Sequence, residues 1–518
     1  MSKRNELPVL LASLALTGVF LGGGAWWIGK MVAGGGSPIS RNVAADDITR
    51  LSLLGDTFSG YSTFRNDEFQ SALNDAGLDI EYEDEFDQTI RAQDLSKGKV
   101  DLIVTTLDQF VKQQPDGKIV GLLDRTVGAD AVVLNSQKYP GLNSLLALGK
   151  LVETEKAAGR SLSIAYAADT PSEYLALVLD TKFDTFNLSD FELKPVAEAS
   201  EAWALMQNPG ENVAIAVLWE PYVTQARQQS YEVVLSSEDA PNAIVDVIVA
   251  SDRLIDSNPE AISQLLESYY RRIDANARDA TQLQTQVAED GGLSVSDSAT
   301  IINGIDFFTA TETQSWFTDG TLDRRIGATA AVLTLSNKLN AVPGDVSSLY
   351  TDQFVSAAAA NTQTLIDLVR ADNPALADKL EGNSNTVTAA LEVSDADIQN
   401  APDIGNLQVR GQVSFGTGSA DLTAEGKETL NNLAKEIQEF NQQTVAVRVI
   451  GHTSRTGSAD LNQSLSQQRA NVVVNHLKGM GVDLNILAEG KGFSEPLPNV
   501  DPVNPSNQRT EIRLVRVN

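Results

Sequence analysis

Short apolar runs alternate with amphipathic segments from about residue 48 to residue 275. The short runs predict strands, and segments with apolar residues every three or four positions predict helices. The predicted strands are residues 51–54, 78–82, 100–105, 131–135, 161–166, 193–196, 214–218, 231–235 and 243–250. The predicted helices are residues 63–76, 88–95, 172–179, 198–206 and 259–275. This alternation predicts parallel sheets with helices on both faces, and its length exceeds one compact unit, so we expect two α/β lobes.

The pattern changes twice after that region. Residues 322–370 read as helices, whereas residues 371–405 are rich in Asp, Asn and Pro with little periodicity, which is typical of a linker. From residue 406 the pattern predicts a compact α+β domain with two helices against one sheet. Its elements are a strand ending at residues 413–415, a helix capped by Thr423, an alternating strand at residues 445–449, a second helix and a final strand at residues 507–514. The apolar residues of the capped helix fall on one face: Leu430, Leu433, Ala434, Ile437 and Phe440.

The amino terminus carries a long uncharged run. Lys3 and Arg4 precede residues 7–28, which contain no ionisable side chain. A helix of that length spans about 33 Å, enough for a hydrocarbon core of about 30 Å. A cleaved signal peptide is the alternative, although its apolar region is usually shorter. We expect a cytoplasmic tip and an uncleaved transmembrane signal anchor in residues 1–36, with everything after it exported.

Composition narrows the classes of function. The 518 residues carry 39 Lys+Arg against 69 Asp+Glu, and a net charge of −30 cannot supply the counterion release that drives nucleic-acid binding. The absence of cysteine excludes thiolate metal sites and thiol nucleophiles, and no nucleophile-elbow, zinc-protease or nucleotide-binding motif occurs. We expect no enzyme, no cofactor, no metal and no nucleic-acid partner. The acidic excess lies in the first 404 residues, because residues 405–518 hold 11 basic and 11 acidic side chains.

Three loops follow predicted strands and carry small or hydroxyl side chains. They are residues 55–61, 105–106 and 168–173. In open α/β sheets the ligand crevice lies outside the carboxyl ends of the strands, and free N–H groups at helix starts attract anions. Helix capping also explains each loop taken alone, for example Thr170 or Asp169 as the cap before Pro171.

Together with Trp219-Glu220-Pro221, these loops resemble the type-2 periplasmic solute-binding proteins of ABC importers, in the nitrate, taurine and aliphatic-sulfonate group. The resemblance covers about residues 46–370 and includes the Asn258-Pro259-Glu260 helix start. It implies a two-lobed α/β periplasmic-binding-protein fold that closes over a small, often anionic solute. The cleft residues that it implies are Ser59, Gly60, Tyr61, Thr106, Thr170, Trp219 and Glu220. Glu220 opposes an anion unless its carboxylate points away or binds a donor, and Trp219 and Tyr222 are equally explained as core residues.

A second set of motifs occupies residues 406–518. It comprises Phe415, Gly418-Ser419-Ala420-Asp421-Leu422, Gly451-His452-Thr453, Gly457, Asn462, residues 465–470, Gly481-Val482, Gly492 and Pro496. In order and spacing they resemble the OmpA-like peptidoglycan-binding domain, which implies non-covalent capture of the diaminopimelate of the stem peptide. That ligand is zwitterionic, so it calls for a carboxylate to meet the ammonium and a guanidinium to grip the carboxylate.

The resemblance assigns peptidoglycan binding to His452, Thr453, Ser454, Asn462, Arg469 and Arg509. Arg469 holds the position of the family's carboxylate-binding arginine. Ser454 stands where most members have the aspartate that takes the ammonium, and Gln508 replaces the first arginine of the terminal motif. A hydroxyl forms no ion pair, so we expect weaker binding or a different peptide, with Asp460 as a candidate substitute. A structural hydrogen bond is the preferred explanation for His452, and a place at the edge of the core for His476.

Two functional hypotheses follow. The first is a solute-binding protein anchored in the cytoplasmic membrane of a Gram-negative-type bacterium, with its bulk in the periplasm and a permease of an ABC importer, or a sensor, as partner. The second is a membrane-to-peptidoglycan tether whose solute-binding region is degenerate. Flagellar stator B subunits have a similar architecture, but they need a membrane-embedded carboxylate, which residues 7–28 lack.

Overall fold

The computed structural model describes residues 48–382, 393–416 and 418–517. The anchor expected in residues 1–36 lies outside these ranges, and no helix within them is long and apolar enough to cross a membrane. The described chain forms two α/β lobes followed by a C-terminal α+β domain, as the sequence pattern predicts.

The first lobe begins with four strands separated by helices. Their bounds are β1 Thr49–Gly55, α1 Ser62–Arg65, α2 Asp67–Asp75, β2 Leu78–Asp84, α3 Gln88–Ser96, β3 Leu102–Thr106, α4 Leu107–Gln113 and β4 Gly117–Thr126. Capping fixes where the helices start, because the side chain of Asn66 accepts a hydrogen bond from the N–H of Phe69 and that of Asp87 accepts from Ile90. β3 is buried along its whole length, as expected of a strand covered on both faces.

The second lobe follows without a break. Its elements are β5 Asp130–Leu134, α5 Leu145–Ala157, β6 Leu162–Ala167, α6 Pro171–Lys182, β7 Phe191–Val196, α7 Ala199–Gln207, β8 Val213–Trp219, α8 Tyr222–Gln228 and β9 Glu232–Ser236. The sheet order is β7-β6-β8-β5-β9. Thr170 caps α6 and Pro171 is its first residue, as the sequence predicts.

The chain then returns to the first lobe. The returning elements are β10 Val245–Ser251, α9 Asp252–Ser257, α10 Pro259–Arg278, α11 Ala280–Gly291, α12 Val295–Asn303, β11 Ile305–Phe307, α13 Ala310–Thr318, α14 Thr321–Leu335 and α15 Ser356–Val369. The first-lobe sheet has the order β11-β4-β10-β3-β1-β2. We call residues 127–129 the first crossover and residues 237–244 the second crossover, since the chain passes between the lobes there. Gly128 N–H donates to Ser237 Oγ at 2.8 Å, so the two crossovers are bonded to each other.

The sheets are mixed rather than parallel. β10 runs antiparallel to β3 and β4, and β5 runs antiparallel to β8 and β9. β5 and β10 are the strands that follow the crossovers, so each enters its sheet directly from the other lobe, without the helical connection that a parallel neighbour needs. The alternating pattern conceals this reversal because the crossovers are short.

The segment expected to be a linker contains regular structure. It holds α16 Pro374–Leu380, α17 Asp395–Asn400 and β12 Asp403–Asn406. Ala377 and Leu380 of α16 pack with Ile366 in a small apolar cluster. Helices this short bury too few side chains to produce a visible periodicity, which is why the sequence pattern misses them.

The C-terminal domain packs two helices on one sheet. Its elements are β12, α18 Ala424–Ile437, β13 Val445–Gly451, α19 Ala459–Gly479, β14 Ile486–Gly490 and β15 Thr510–Arg516, with the sheet order β12-β15-β13-β14. The predicted apolar face of α18 is buried throughout, and Thr423 caps the helix by accepting from Gly426 N–H.

The prediction of a strand that ends at residues 413–415 is wrong, because β12 forms that edge of the sheet instead. Residues just after β12 give their hydrogen bonds to the second lobe. Gln408 N–H donates to the carbonyl of Lys182 at 2.7 Å, and Arg410 Nη2 donates to that of Thr181 at 2.9 Å. A strand at residues 408–413 would need the Gln408 N–H for the sheet ladder.

Candidate functional site

The carboxyl edge of the first-lobe sheet gathers several predicted cleft residues. β1 leads into the loop that carries Gly60 and Tyr61, and β3 ends at Thr106. Asp246 of β10 lies directly opposite Thr106 in the ladder, and it also lies opposite Asp124 of β4. Two aspartates that the resemblance does not mark therefore share this edge with Gly60, Tyr61 and Thr106.

Asp124 and Asp246 form a buried carboxyl pair. Their exposed fractions are 0% and 2%, and Tyr61, itself buried, donates its hydroxyl to Asp246. Apart from the Asp246 carboxyl, no described side chain hydrogen-bonds to either oxygen of Asp124. Burial holds the pKa of both carboxyls well above the usual range, with a further increase from the charge of Asp306 for Asp124 and from that of Asp124 for Asp246, and burial likewise raises the pKa of Tyr61. The environment of both aspartates therefore favours the protonated form of the carboxyl group.

Gly60 allows its loop to lie directly on this pair. A Cβ at Gly60 would collide with Asp124 Oδ2 and with the ring of Phe58. Asp56, in the same loop, accepts from Arg91 Nη2 at 2.9 Å, and the Arg91 side chain is wholly buried. Arg91 thus neutralises Asp56, while the Asp124–Asp246 pair has no cation among its partners in the described chain.

A further buried carboxyl lies where the first crossover ends. Asp130 is 5% exposed, and burial, with smaller contributions from Glu220 and Asp108, raises its pKa to about 7. The N–H of Glu220 donates to the carbonyl of Ala129 in that crossover at 2.9 Å. Carboxyl groups from both lobes therefore converge on the hinge.

The remaining predicted solute-binding residues serve local structure. Thr170 Oγ1 accepts from Ser172 N–H and donates to the carbonyl of Ala167, so its hydroxyl is committed to the cap. The Glu220 carboxylate accepts from both the N–H and the hydroxyl of Thr224, and it is turned back onto α8. Trp219 packs, half-buried, against the second-lobe core together with Tyr222, as the core explanation expects. Ser59 begins a single 3₁₀ turn and stays partly exposed.

Ion pairs join the two lobes. Lys112 of α4 pairs with Asp169, which follows β6 of the second lobe, and lies 4.0 Å from Glu173 of α6. Lys338, after α14, pairs with Glu173 at 2.5 Å. The side chain of Glu173 is only 8% exposed, so these contacts are partly shielded from water. The lobes are thus held together in the arrangement of this structure.

Sequence reasoning misses Asp124, Asp246 and Asp130. Asp124 and Asp246 do leave a signal, since each is the one carboxylate of its strand and lies beside buried apolar residues of that strand. Buried carboxyls are rare unless they are paired, so an aspartate in a buried strand marks a functional candidate. Within the described ranges no group of three His, Asp or Glu side chains is arranged to hold a metal ion.

The second candidate site centres on Arg469 in α19. Arg469 is 6% exposed, its Nε donates to the carbonyl of Ser419 at 3.0 Å, and its guanidinium lies 4.9 Å from the ring centroid of Phe415. No carboxylate of the described chain lies within ion-pair distance of it. Burial without such a partner lowers the pKa of Arg469. A buried guanidinium with free donors is suited to a ligand carboxylate.

Ser454 and Gln508, the two residues that depart from the family pattern, contact each other. Gln508 Nε2 donates to Ser454 Oγ at 3.3 Å, and Gln508 Oε1 accepts from Arg469 Nη1 at 3.4 Å. A neutral pair therefore stands where most members of the family have a charged residue at each position. Ser454 is 2% exposed whereas Gln508 is exposed, so the pair reaches from the interior of the site to its surface.

The other assigned residues hold the site together. Asn462 donates to the carbonyls of Thr456 and Ser458, which fixes the loop after β13. Thr453 is buried, and its N–H donates to the carbonyl of Gly492 at 2.7 Å. Asp460, the candidate substitute for the missing aspartate, is exposed in the first turn of α19. His476, as expected at a core edge, is half-buried, and its Nε2 hydrogen-bonds to Asn431 at 2.8 Å.

A buried ion-pair network supports this loop. His452 is 1% exposed, and its Nε2 lies 3.3 Å from Glu511 Oε1, in keeping with a structural role. Arg509 donates to the same oxygen through Nε at 2.9 Å and Nη2 at 2.6 Å. Although burial opposes it, the nearby imidazole of His452 and the charge of Arg509 lower the pKa of Glu511 to about 2. The Arg509 guanidinium is therefore already neutralised, unlike that of Arg469.

Comparison with known proteins finds relatives of the C-terminal domain. Residues 414–510 match the model of the OmpA family. The chain is 36% identical over 142 residues to the probable lipoprotein YiaD of Escherichia coli and 37% identical over 93 residues to outer membrane protein A of Shimwellia blattae. These matches cover 27% and 18% of this chain, and the chain spans only 59% and 39% of the length of those two relatives.

Solved structures resemble the rest of the chain. The periplasmic aliphatic sulphonate-binding protein SsuA of Escherichia coli is matched with a TM-score of 0.45 and 14% identity over 59% of this chain and 99% of that one. A sulfonate-binding protein SsuA from Methylobacillus flagellatus is matched with a TM-score of 0.48 and 13% identity over 61% of this chain and 96% of that one. Likenesses this distant carry no argument about the ligand.

Proposed function

We propose that the chain is a solute-binding protein attached to the bacterial cell wall. In this proposal the lobes hold a small solute at the hinge, and the C-terminal domain binds the diaminopimelate-containing stem peptide of peptidoglycan. The observation that carries it is that each region holds a buried charged or ionisable group without a partner of opposite charge: Asp124 in the first lobe and Arg469 in the C-terminal domain. Such groups are destabilising unless a ligand satisfies them.

The charges at the hinge favour a solute with an ammonium or other hydrogen-bond donors. Asp124, Asp246 and Asp130 are all buried carboxyls, whereas the nearby guanidinium of Arg91 is taken by Asp56. A sulfonate would meet carboxyls there and no free cation. The resemblance implies an anion, but these side chains are better matched to a cationic solute, which would also bind the ionised form of Asp130.

The peptidoglycan half of the proposal rests on Arg469. Arg469 Nη1 contacts Gln508, which in turn contacts Ser454, and a stem-peptide carboxylate would form a bidentate pair with the remaining guanidinium donors. Because Ser454 and Gln508 are neutral, the ammonium of the ligand gains hydrogen bonds but no ion pair.

The cellular setting completes the proposal. Residues 7–28 would anchor the chain in the cytoplasmic membrane with the lobes in the periplasm, where a permease of an ABC importer or a sensor would receive the solute. The proposal includes no catalytic step, no cofactor and no nucleic acid.

A thermal-shift experiment on the full-length chain tests the solute site. Trp203, Trp219 and Trp316 lie in the lobes and residues 406–518 contain no tryptophan, so in a parent chain that carries Trp26→Phe and Trp27→Phe the tryptophan emission reports the lobes alone. We expect amines and amino acids to raise the melting temperature of the lobes and sulfonates or nitrate to leave it unchanged. A shift with anions only would contradict the charge argument.

A tether without solute is the second candidate function. The commitment of Thr170 and Glu220 to their own helices favours it, because neither side chain is free to bind a ligand. The two candidates differ in the same experiment, since a tether predicts no shift with any solute. Sedimentation of the chain with purified peptidoglycan tests the part that both candidates share.

A further inference from the structure

The C-terminal domain docks on the hinge of the two lobes. We infer that this docked domain is a brace that holds the lobes closed. The inference holds whether or not the lobes bind a solute, because it rests only on contacts within the chain. Three groups of contacts carry it.

The first group is at the second crossover. Arg516 Nη2, at the end of β15, pairs with Asp239 Oδ2 at 2.7 Å, and Asp239 is wholly buried. The N–H of Asn441 donates to the carbonyl of Asp239 at 2.8 Å, and its side-chain amide donates to that of Glu238 at 3.0 Å. The second crossover, on which the relative motion of the lobes depends, is therefore held by three polar contacts from the C-terminal domain.

The second group is on the second lobe. The chain at Phe183 and Leu407 forms an antiparallel bridge, and Asp184 N–H donates to the carbonyl of Asn406 at 3.1 Å. Together with the bonds from Gln408 and Arg410, this joins the end of α6 to the segment around β12. Backbone pairing of this kind fixes the domain in one orientation on that lobe.

The third group ties the first lobe to the second through one carboxylate. Glu439, which follows α18, lies 3.2 Å from Lys182 Nζ of α6 and 3.6 Å from Arg325 Nη2 of α14. Glu436 adds a contact to Lys182 at 3.5 Å. Because α14 packs on α4 of the first lobe and also on α6 of the second, Lys182 and Arg325 belong to bodies that move relative to each other when the lobes open.

The junction is closely packed. A cavity of about 30 Å³ remains there, lined by Lys182, Arg325 and Glu439 among others, and it holds no more than about one water molecule. Lys182 and Arg325 are each only 12% exposed in their side chains, so these ion pairs are less screened than surface pairs. Opening the lobes would separate Lys182 from Arg325 and leave a shielded charge without its partner, which disfavours the open state while the domain stays docked.

The brace leaves the Arg469 site free. The hinge contacts of Asn441 lie before the start of β13, whereas the loop of His452 and Ser454 follows its end. Seven residues of strand separate the two ends by roughly 23 Å. The domain is therefore able to grip a ligand at one end and the hinge at the other.

Distance measurements on the full-length chain test the brace, and the absence of native cysteine makes the labels specific. Spin labels at Asn74→Cys on α2 and Ala204→Cys on α7 report the distance between the lobes. Labels at Ala204→Cys and Asn475→Cys on α19 report the distance from the second lobe to the C-terminal domain. All three positions are exposed. The test variant is Glu436→Arg with Glu439→Arg, which places like charges opposite Lys182 and Arg325.

We expect the test variant to broaden both distance distributions and to lower the ratio of closed to open lobes by about fivefold or more. The matched control reverses two exposed acids of the same domain, Glu428→Arg with Asp483→Arg, and should match the parent. Arg516→Gln is a milder variant in case the charge reversal disturbs folding, which circular dichroism would show, and it should give a smaller change in the same direction. Undocking without any change between the lobes would overturn the brace. If neither variant alters the distance from the second lobe to the C-terminal domain, the brace would also be overturned, because these contacts would then not hold the domain in place.

Discussion

The lobes and the C-terminal domain treat their buried charges in opposite ways. In the lobes, Asp124, Asp246 and Asp130 are buried carboxyls that have no basic partner among the described residues, and their pKa values are raised. In the C-terminal domain, Glu511 is surrounded by His452 and Arg509 and its pKa is lowered, while the unpaired buried group is a cation, Arg469. The sign of the unpaired group differs, and so does the sign of the ligand that would relieve it.

This contrast shows that net charge does not indicate the ligand. The first 404 residues hold the whole acidic excess of the chain, yet most of those acids are on the surface and are solvated. In the proposed function, three buried carboxyls at the hinge and one buried guanidinium in the C-terminal domain determine what each region is able to bind.

Removing the unpaired cation should have the largest effect. Arg469→Ala removes the one guanidinium with free donors in the pocket, so we expect the affinity for purified peptidoglycan to fall by about 30-fold or more. Sedimentation with peptidoglycan measures this. Arg455→Ala, which removes an exposed arginine from the neighbouring loop, is the matched control and should bind as the parent does. Full binding by Arg469→Ala would refute the role assigned to this arginine.

The two regions should respond to pH in opposite directions. Folded lobes keep a proton on Asp130 up to about pH 7, whereas the unfolded chain releases it near pH 4, so the free energy of unfolding should fall as pH rises between these values. For Glu511 the folded pKa of about 2 lies below the unfolded value, so the C-terminal domain should lose stability as pH falls from about 4.5 to 2. Each change should be about 1 to 3 kcal/mol.

Urea unfolding followed by tryptophan emission measures the lobe half of this prediction. Asp130→Asn should flatten the dependence between pH 4 and pH 7, while Asp372→Asn, an exposed control, should not. Circular dichroism at 222 nm, compared between the parent and Glu511→Gln, measures the other half. Lobes that gain stability between pH 4 and pH 7 would contradict the burial of Asp130 as a neutral acid.

The sequence predicts elements better than it predicts partners. The apolar face of α18, the caps at Thr170 and Thr423 and the division into two lobes follow from local spacing, and the structure confirms them. Strand direction is wrong for β5 and β10, because direction depends on which lobe a strand enters from and not on its own residues. The edge strand is misplaced for a similar reason, since residues 408–410 bond to the second lobe.

Only part of the site is predicted, because contacts between distant strands do not follow from local spacing. Gly60, Tyr61 and Thr106 are found because loops after strands converge at one edge of a sheet. Thr170 and Glu220 are consistent with a cleft in sequence, but in the structure they cap their own helices, and both readings need the same residue types. Asp124 and Asp246 become a pair only through the register of β4 and β10, which lie far apart in the chain.

Restoring the missing ammonium partner should have a moderate effect. Ser454→Asp places a carboxylate beside Gln508 inside the pocket, so binding of peptidoglycan with free diaminopimelate ammonium groups should strengthen by about five- to tenfold. The double variant Ser454→Asp with Gln508→Arg tests whether the two departures act as one unit. If they do, the double variant should differ from the sum of the two single changes. Weaker binding by Ser454→Asp would indicate that the carboxylate pairs with Arg469 and blocks the site.

Removing one donor from the carboxyl pair should have the smallest effect. Tyr61→Phe deletes the hydroxyl that donates to Asp246, and a buried acceptor that loses its donor usually lowers the free energy of unfolding by about 1 to 2 kcal/mol. Tyr231→Phe is the matched control, because Tyr231 packs edge-on against Trp203 in the second lobe and its hydroxyl makes no hydrogen bond within the described residues. Urea unfolding at pH 7 compares the two variants. If the Asp124–Asp246 pair binds a donor solute, saturating amounts of that solute should recover part of the loss in Tyr61→Phe, because the solute replaces the missing hydroxyl. Recovery of the same size in Tyr231→Phe would show that the solute stabilises the lobes elsewhere, and the contrast with the Arg469 site would then lose its first-lobe half.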